Sequence, residues 1–517
     1  MLKLAIYAFV PFLVGLLGFI GTINRRWQVP FVKRLPFLVA YLIVATFLSP
    51  TVIIHIALCS IAVPLFARKR EEVVPIYLFA LLLVPSVGYT LNVGSVRLLP
   101  ITGFATLGIG ALVWSLVHGK RDYGKKSYIA GLSILLLFTV IVFIGARDTT
   151  FTNLLRVIFD VSLSLLMPFF IVRRCIKSVL DVRLAMIAMI AATASLSASA
   201  IYEANAHWPL FRSVYDHYGI VLGQGSAVKL RGGFVRSAGP FIEPTSFAFW
   251  LTLGTGALLA SPWLFRSKVK SGLLLMFLLV GLFAPQSRGA WLGLIALYAI
   301  FQMVNGKSTS LLKPALFTLA TATTIYGAGL FIPRVGNMLG LNDMGVVQRD
   351  YRQDLLSRGL EESKNHLIIG NNNEGVRYAL RDMVQGEGFV DFVNSYIFIL
   401  LLSGLIGLAM FALALLSPIR ALLKVRKRVP VDELAAISFV IAALGAVVIM
   451  IAFTSLGGRT NTAIVMLLGL SGGLLNARRT TKGGSVVAER AASSRRDGAI
   501  RIGGPPTPDN PIIHSNA

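Results

Sequence analysis

The chain has 517 residues, of which 55% are hydrophobic and 14% are charged, and its formal net charge is +26. Because soluble domains are about one quarter charged, this composition excludes a soluble globular protein and indicates an integral membrane protein. Cytoplasmic loops of membrane proteins collect Lys and Arg, so the positive charge does not predict a nucleic-acid partner.

Apolar segments close to the length of about 20 residues that crosses a bilayer recur along most of the chain. The segment 36–66 is interrupted at Ser49-Pro50 and is either one broken span or two short helices. The other predicted spans are 4–22, 73–91, 99–118, 128–145, 153–172, 178–202, 241–260, 272–286, 288–304, 311–331, 393–416, 433–454 and 461–476. The sequence therefore predicts an all-α, polytopic membrane protein with about 14 transmembrane helices over residues 1–476.

Clusters of Lys and Arg predict which side of the membrane each loop faces. By the positive-inside rule, the side that carries most of these clusters is cytoplasmic. The clusters on that side lie at 68–70, 120–126, 173–177, 266–270, 424–428 and 478–482. The bases at 25–34 join this side only if 36–66 is a hairpin, which would place the N-terminus outside.

Two long loops, 203–240 and 332–392, are then predicted on the periplasmic side. In the second loop, apolar residues at helical spacing predict an amphipathic helix, which either lies on the membrane surface or packs on its own neighbours. These residues are Val347, Tyr351, Leu355 and Leu356. The segment 477–517 is rich in Gly, Ser, Pro and Arg and predicts a disordered, basic cytoplasmic tail.

Charged residues stand at the edges of two spans on the predicted periplasmic side. Arg236 precedes the span at 241, and Arg288 stands in the short turn before the span at 288. Such positions are costly and usually functional, although a snorkelling anchor is the alternative for Arg288 and an ordinary loop charge for Arg236. Two guanidiniums on one face suit a phosphate or pyrophosphate. Glu243, followed by Pro244, either favours the start of its helix or accepts a proton.

The signatures of soluble nucleotide and metal chemistry do not occur in the sequence. There is no Gly-x-x-x-x-Gly-Lys-Ser/Thr loop, no His-Glu-x-x-His helix and no Asp-x-Asp pattern, and the six histidines do not pair at ligand spacing. If the protein is an enzyme, we expect it to use neither a metal nor a nucleotide cofactor.

The order of these features resembles the O-antigen ligase and polymerase superfamily, which includes the Wzy-type polysaccharide polymerases. The match covers roughly residues 230 to 410. The matching stretches are Arg236-x-x-Gly239 with Phe241-x-Glu243-Pro244, then "SRGAWL" from Ser287, "NHLIIGNNNEG" from Asn365, and "VNSYIFILLLSGLIG" from Val393. In the ligases the last stretch begins with a histidine, then carries Gly-x2-Gly after nine residues. Here Val393-Asn394 precedes Gly404-x2-Gly407, so the spacing fits and the histidine is missing.

The resemblance implies a GT-C-like membrane fold and a metal-independent glycosyltransferase in the bacterial inner membrane. Its donor would be a glycan on undecaprenyl pyrophosphate, polymerised at the periplasmic face into exopolysaccharide or O-antigen. Arg236 and Arg288 would hold the pyrophosphate, and Arg231 and Asn394 complete the predicted substrate-binding set. A chain-length regulator and a flippase are the partners it implies.

The missing histidine leaves the general base open. Glu243, Asp391 and Glu387 are the candidate catalytic carboxylates. Two alternative functions also stay open. One is the ligase relative, which transfers finished glycan to an acceptor, and the other is a transporter or flippase, which would place its polar groups near the bilayer midplane.

Overall fold

The computed structural model describes residues 1–93, 96–118, 128–220, 228–231, 233–307, 323, 326–333, 336–337, 341, 343–384, 390, 392–427 and 429–477. The chain is mostly helical, with 78% helix and 3% strand, which confirms the predicted class while adding two short β-hairpins. The predicted tail beyond residue 477 and most of the predicted span at 311–331 lie outside the described residues.

The helices and strands follow one another in this order. They are α1 (Leu2–Thr22), α2 (Pro30–Ile43), α3 (Val52–Phe66), α4 (Arg70–Leu83), β1 (Gly88–Val93), β2 (Val96–Thr102), α5 (Gly103–His118), α6 (Tyr128–Ala146), α7 (Phe151–Val161), α8 (Met167–Cys175), α9 (Val179–Ala206), α10 (Arg212–His217), β3 (Leu230–Arg231), β4 (Phe234–Val235), α11 (Pro244–Leu259), α12 (Lys268–Phe283), α13 (Arg288–Val304), α14 (Asp343–Asn365), α15 (Asn373–Ala379), α16 (Ser395–Arg426), α17 (Val431–Met450) and α18 (Gly458–Ala477).

Eight helices among the described residues are long and apolar enough to cross a membrane, which indicates a multi-pass membrane protein. They are Leu2–Thr22, Pro30–Leu48, Tyr128–Ala146, Phe151–Cys175, Val179–Ala206, Ser395–Arg426, Glu433–Met450 and Gly458–Ala477. Shorter apolar helices, α3, α5 and α13 among them, complete the bundle.

The helix α9 forms the centre of the bundle and packs against α1, α4, α11, α12 and α17. Its middle is a run of small side chains, mostly Ala and Ser, all of them buried except Ala198. Small residues let neighbouring backbones approach closely, which is how membrane helices gain van der Waals contact without a hydrophobic driving force. The first turn of α9 lies at one end of the bundle and its last turn carries the buried Glu203 at the other.

The segment 36–66 is two antiparallel helices, α2 and α3, that meet at Ser49-Pro50. At the base of this hairpin, Arg34 donates to Phe66 O and pairs with Glu72 at 2.5 Å. This contact, with those of Arg70 to Cys175 O and of Asn24 N–H to Leu264 O, places the early bases near those at 68–70, 173–177 and 266–270, at what we call the basic end of the bundle. The N-terminal half of α1 lies at the opposite end, which we call the loop end, since Tyr7 stacks near Tyr202 with ring centroids 6.2 Å apart.

The predicted span at 73–91 is wrong at its C-terminal side. The helix α4 stops at Leu83, and residues from Gly88 onward form the β1–β2 hairpin. Pro85 has no backbone N–H to donate to a continuing helix, and Gly88 favours a turn. The apolar segment therefore leaves the helical conformation after Leu83. The start of α5 moves accordingly from 99 to Gly103.

The predicted amphipathic helix in the second long loop exists as α14. Leu355 is buried in a second, smaller core together with residues of α15 and α16, and Tyr351 donates its hydroxyl to Met383 O at 3.0 Å. Val347 and Leu356 remain exposed. The helix is therefore packed on its neighbours through one face, while the other face is open.

The helix α16 is interrupted near its start. Gly404 has a φ of 63°, and the loop residues after α14 form backbone hydrogen bonds with the broken segment. One guanidinium nitrogen of Arg147 donates to the carbonyls of Ile369, Asn371 and Leu402 at 3.0 to 3.1 Å. Backbone carbonyls at the break are therefore hydrogen-bonded by Arg147, which lies in the connection between α6 and α7. The break coincides with the Gly404-x2-Gly407 spacing noted in the sequence.

Candidate functional site

The β3–β4 hairpin is fastened to the turn that precedes Arg288. Arg231 donates from Nη1 to Gln286 O at 2.8 Å, and Arg236 donates from Nε to Pro285 O at 2.9 Å. Gln286 itself has a φ of 54°, in the left-handed region, and the carbonyls of Pro285 and Gln286 face the hairpin. The structure thus brings together Arg231, Arg236 and the turn before Arg288, which belong to two segments separated in sequence by α11 and α12.

Four arginines from three segments come together at the loop end. Arg288 begins α13, Arg231 belongs to β3, and Arg349 and Arg352 lie on α14. Burial, followed by the positive charges of Arg288 and Arg352, lowers the pKa of Arg231 to about 10. Arg288, Arg349 and Arg352 are exposed. The charges of Arg349 and Arg352 also act on Arg288, and we call these four residues the arginine cluster.

The arginine cluster is a site of concentrated positive charge. Within the described part of the chain, none of its four members forms a salt bridge. The positive charges of these residues disfavour one another, and an anion with several oxygens relieves that repulsion while accepting charge-assisted hydrogen bonds. The cluster is therefore suited to a phosphate or pyrophosphate group.

Arg236 has a different environment from the cluster. Its Nε is used on Pro285 O, and its side chain lines a small cavity together with Arg212, Lys229 and Tyr215. Burial raises the pKa of Tyr215 to about 12. Arg236 thus contacts the turn before Arg288 through Nε and also lines this small polar cavity.

Glu203 fixes the backbone that leads from the hairpin to Glu243. This carboxylate is completely buried at the end of α9. One oxygen accepts from the backbone N–H groups of Ala238 and Gly239 at 3.1 and 2.9 Å, and the other accepts from Leu210 N–H at 3.1 Å. A buried carboxylate requires such donors, and here they tie two separate loop segments to the central helix.

Glu243 stands at the N-cap position of α11, immediately before Pro244. Its carboxylate makes no capping hydrogen bond to the helix backbone but accepts from Ser246 Oγ at 3.4 Å. Ser246 in turn lies 3.1 Å from Thr460 Oγ1. Glu243 is half-buried and held by a hydroxyl chain, so its role as helix start and its predicted role as proton acceptor are compatible.

Asn394 is the N-cap of α16. Its side-chain oxygen accepts from Tyr396 N–H at 3.0 Å and from Ile397 N–H at 3.4 Å. This structural use leaves only the side-chain amide of Asn394 for its predicted contact with substrate. The two other predicted carboxylates, Asp391 and Glu387, lie outside the described residues.

A buried arginine that the sequence interpretation overlooked lies against Phe241, two residues before Glu243. Arg459, at the start of α18, donates to Val84 O and to Ser86 Oγ, the latter at 3.2 Å, and its guanidinium carbon lies 4.2 Å from the centroid of the Phe241 ring. Its carbonyl accepts from the Trp250 indole at 3.0 Å. It carries the same signal as Arg288, an arginine at the first turn of an apolar segment.

No family model and no curated protein matches this chain. Within the described residues, no group of three or more His, Cys, Asp or Glu side chains is arranged to hold a metal ion. The case for a function therefore depends on the arginine cluster, the loops that position it, and the resemblance of the motifs.

Proposed function

We propose that this chain is a polysaccharide polymerase of the O-antigen ligase and polymerase superfamily. In this proposal it has a GT-C-like fold with about 14 spans, lies in the bacterial inner membrane, and acts at the periplasmic face. The observation that carries the proposal is the arginine cluster, in which three segments far apart in sequence contribute guanidiniums to one surface at the loop end.

The chemistry of the cluster fits a lipid pyrophosphate. A guanidinium presents paired N–H donors that match the oxygens of a phosphate, and it stays charged. A pyrophosphate has two phosphates to contact, so a set of arginines from different loops holds it better than a single residue does. The exposure of Arg288, Arg349 and Arg352 leaves these guanidiniums accessible to a large substrate.

In the proposed reaction, the hydroxyl oxygen of the acceptor glycan forms a bond with the anomeric carbon of the donor glycan. The bond between that carbon and the phosphate oxygen breaks, and the electron pair leaves with undecaprenyl pyrophosphate. The arginine cluster stabilises the negative charge that develops on the leaving oxygen. The hydroxyl proton passes to a carboxylate, and Glu243 is our first candidate because it is half-buried at the same end.

The remaining residues support these steps. Arg236 holds the turn that positions Arg288, and Glu203 holds the backbone that leads to Glu243. Asp391 and Glu387 stay alternative candidates for the base, and Asn394 stays a candidate for substrate contact through its amide. The partners in this proposal are undecaprenyl pyrophosphate-linked glycan, a chain-length regulator and a flippase.

The experiment that tests this proposal is the replacement of the chromosomal gene by an Arg288→Gln variant. We expect long polymer to disappear and single lipid-linked repeat units to accumulate, while the amount of protein in the membrane is unchanged. Arg266→Gln is the matched control, because Arg266 is equally exposed but follows α11 at the basic end. Full-length polymer in the Arg288→Gln strain would rule out the proposed role of the cluster.

The ligase relative is the second candidate, and the broken helix at Gly404 favours it, since the Gly-x2-Gly spacing is the one that ligases carry. The same strain separates the two functions. A defective ligase leaves full-length polymer attached to the lipid carrier, whereas a defective polymerase leaves single repeat units.

A further inference from the structure

A cavity of about 680 Å³ opens at the basic end of the bundle, opposite the arginine cluster. It lies between the first turns of α2, α4 and α9 and the short turn after α11. Its basic lining residues are Arg26, Lys69 and Arg183, and its aromatic ones are Trp27 and Trp263. Nothing in the proposed glycosyl transfer uses this cavity.

The aromatic and basic residues of the cavity form one contiguous group. The rings of Trp27 and Trp263 lie 4.5 Å apart between centroids, and the guanidinium of Arg183 lies over the Trp263 ring at 5.2 Å. Arg26 donates to Trp263 O at 3.4 Å. Among the described residues, neither indole N–H has a hydrogen-bond partner. Trp is enriched at the membrane–water interface, and Lys and Arg are enriched on its cytoplasmic side.

The acidic residues of the cavity are largely neutralised. Glu72 pairs with Arg34 at 2.5 Å and accepts the backbone N–H groups of Arg68 and Lys69, so its charge is satisfied within the protein. Glu71 lies at 3.9 Å from Lys69 and is exposed enough to be hydrated. Of the five charged side chains in the lining, the two acids are thus paired or hydrated, and the three bases Arg26, Lys69 and Arg183 give the lining a positive balance.

We propose that this cavity binds the phosphate-bearing headgroup of a membrane phospholipid. Basic pockets between membrane helices at the cytoplasmic side are recognised sites for phospholipid headgroups. The two guanidiniums would hold the phosphate, and the tryptophan pair would pack against the glycerol region at the interface. The volume is also appropriate for a headgroup.

Lipid binding to the purified protein tests this proposal by native mass spectrometry. The probes are phosphatidylethanolamine, phosphatidylglycerol, diacylglycerol of the same chain length, and inorganic phosphate. The wild type is expected to retain one phospholipid of either class tightly and to show no such binding of diacylglycerol. Equal retention of diacylglycerol would overturn the headgroup assignment, and so would displacement of the retained lipid by millimolar inorganic phosphate.

The decisive variant is Arg26→Gln with Arg183→Gln. Because each basic residue near an anionic headgroup contributes about a factor of five, retention is expected to weaken about thirtyfold. Arg25→Gln is the matched control, since Arg25 is exposed in the same turn but does not line the cavity. Arg183→Lys keeps the charge and checks folding, and it should retain most of the binding. Undiminished retention in the double variant would contradict the proposal.

Discussion

Replacement of Glu203 tests how the loop end is held together. In Glu203→Ala, the backbone N–H groups of Leu210, Ala238 and Gly239, now at 2.9 to 3.1 Å from the carboxylate oxygens, lose their acceptors. A buried donor without a partner costs about 1 to 3 kcal/mol. Because water can enter the space left by the side chain and satisfy part of this set, we expect a loss of about 3 to 6 kcal/mol in the free energy of unfolding.

Glu203→Gln should lose less of the free energy of unfolding than Glu203→Ala does. The amide keeps one accepting oxygen and places an NH₂ group opposite a backbone donor, so about 1 to 3 kcal/mol should be lost. Thermal unfolding of the detergent-purified proteins should therefore rank wild type above Gln and Gln above Ala. The exposed Glu361→Gln on α14 is the control and should leave the transition unchanged.

Polymer length in cells is the second measurement for the Glu203 variants. If the loop that leads to Glu243 is held by this carboxylate, Glu203→Ala should shorten or abolish polymer at temperatures where the protein is still folded. An Ala variant that unfolds at the wild-type temperature and makes full-length polymer would refute the reasoning.

Two further predictions concern the broken helix and the arginine cluster. Gly404→Ala should lower the unfolding temperature, because its positive φ disfavours a side chain and a Cβ would lie 2.3 Å from the Ile368 backbone, whereas Gly272→Ala on α12 meets open space and should be neutral or slightly stabilising. Arg352→Gln should weaken the binding of inorganic pyrophosphate, measured by calorimetry at low salt, by about tenfold, while Lys364→Gln at the far end of the same helix should not change it. Equal affinities in the two α14 variants would show that the cluster is not an anion site.

Hydropathy predicted most of the helices in the bundle because a membrane span is a continuous apolar segment of the sequence. The segments that became α6, α9 and α13 were found within a few residues of their observed bounds. The prediction of one span over 73–91 was wrong because an apolar β-hairpin and the end of an apolar helix have the same hydropathy. The sequence did not decide between one broken span and two helices over 36–66, because a proline is found at helix kinks and in turns alike.

The candidate site was predicted only in part, and the reason is physical. Arg236 and Arg288 were identifiable because a charge at the edge of a span is conspicuous in the sequence. Arg459 gave the same signal and could have been found by the same argument. Glu203 could not, because its partners at 238–239 lie on a different loop and meet it only in the folded bundle.

The central claim is that the loop end of this protein joins lipid-linked repeat units without a metal. Its most direct test is reconstitution of the purified protein in liposomes with a lipid pyrophosphate-linked repeat unit and an excess of chelator, followed by electrophoresis of the lipid-linked glycan. We predict a ladder of lengthened glycans with release of undecaprenyl pyrophosphate by the wild type, and repeat units alone with Arg288→Gln. Wild-type protein that leaves the repeat units unjoined under these conditions, or an Arg288→Gln variant that joins them at the wild-type rate, would contradict the claim.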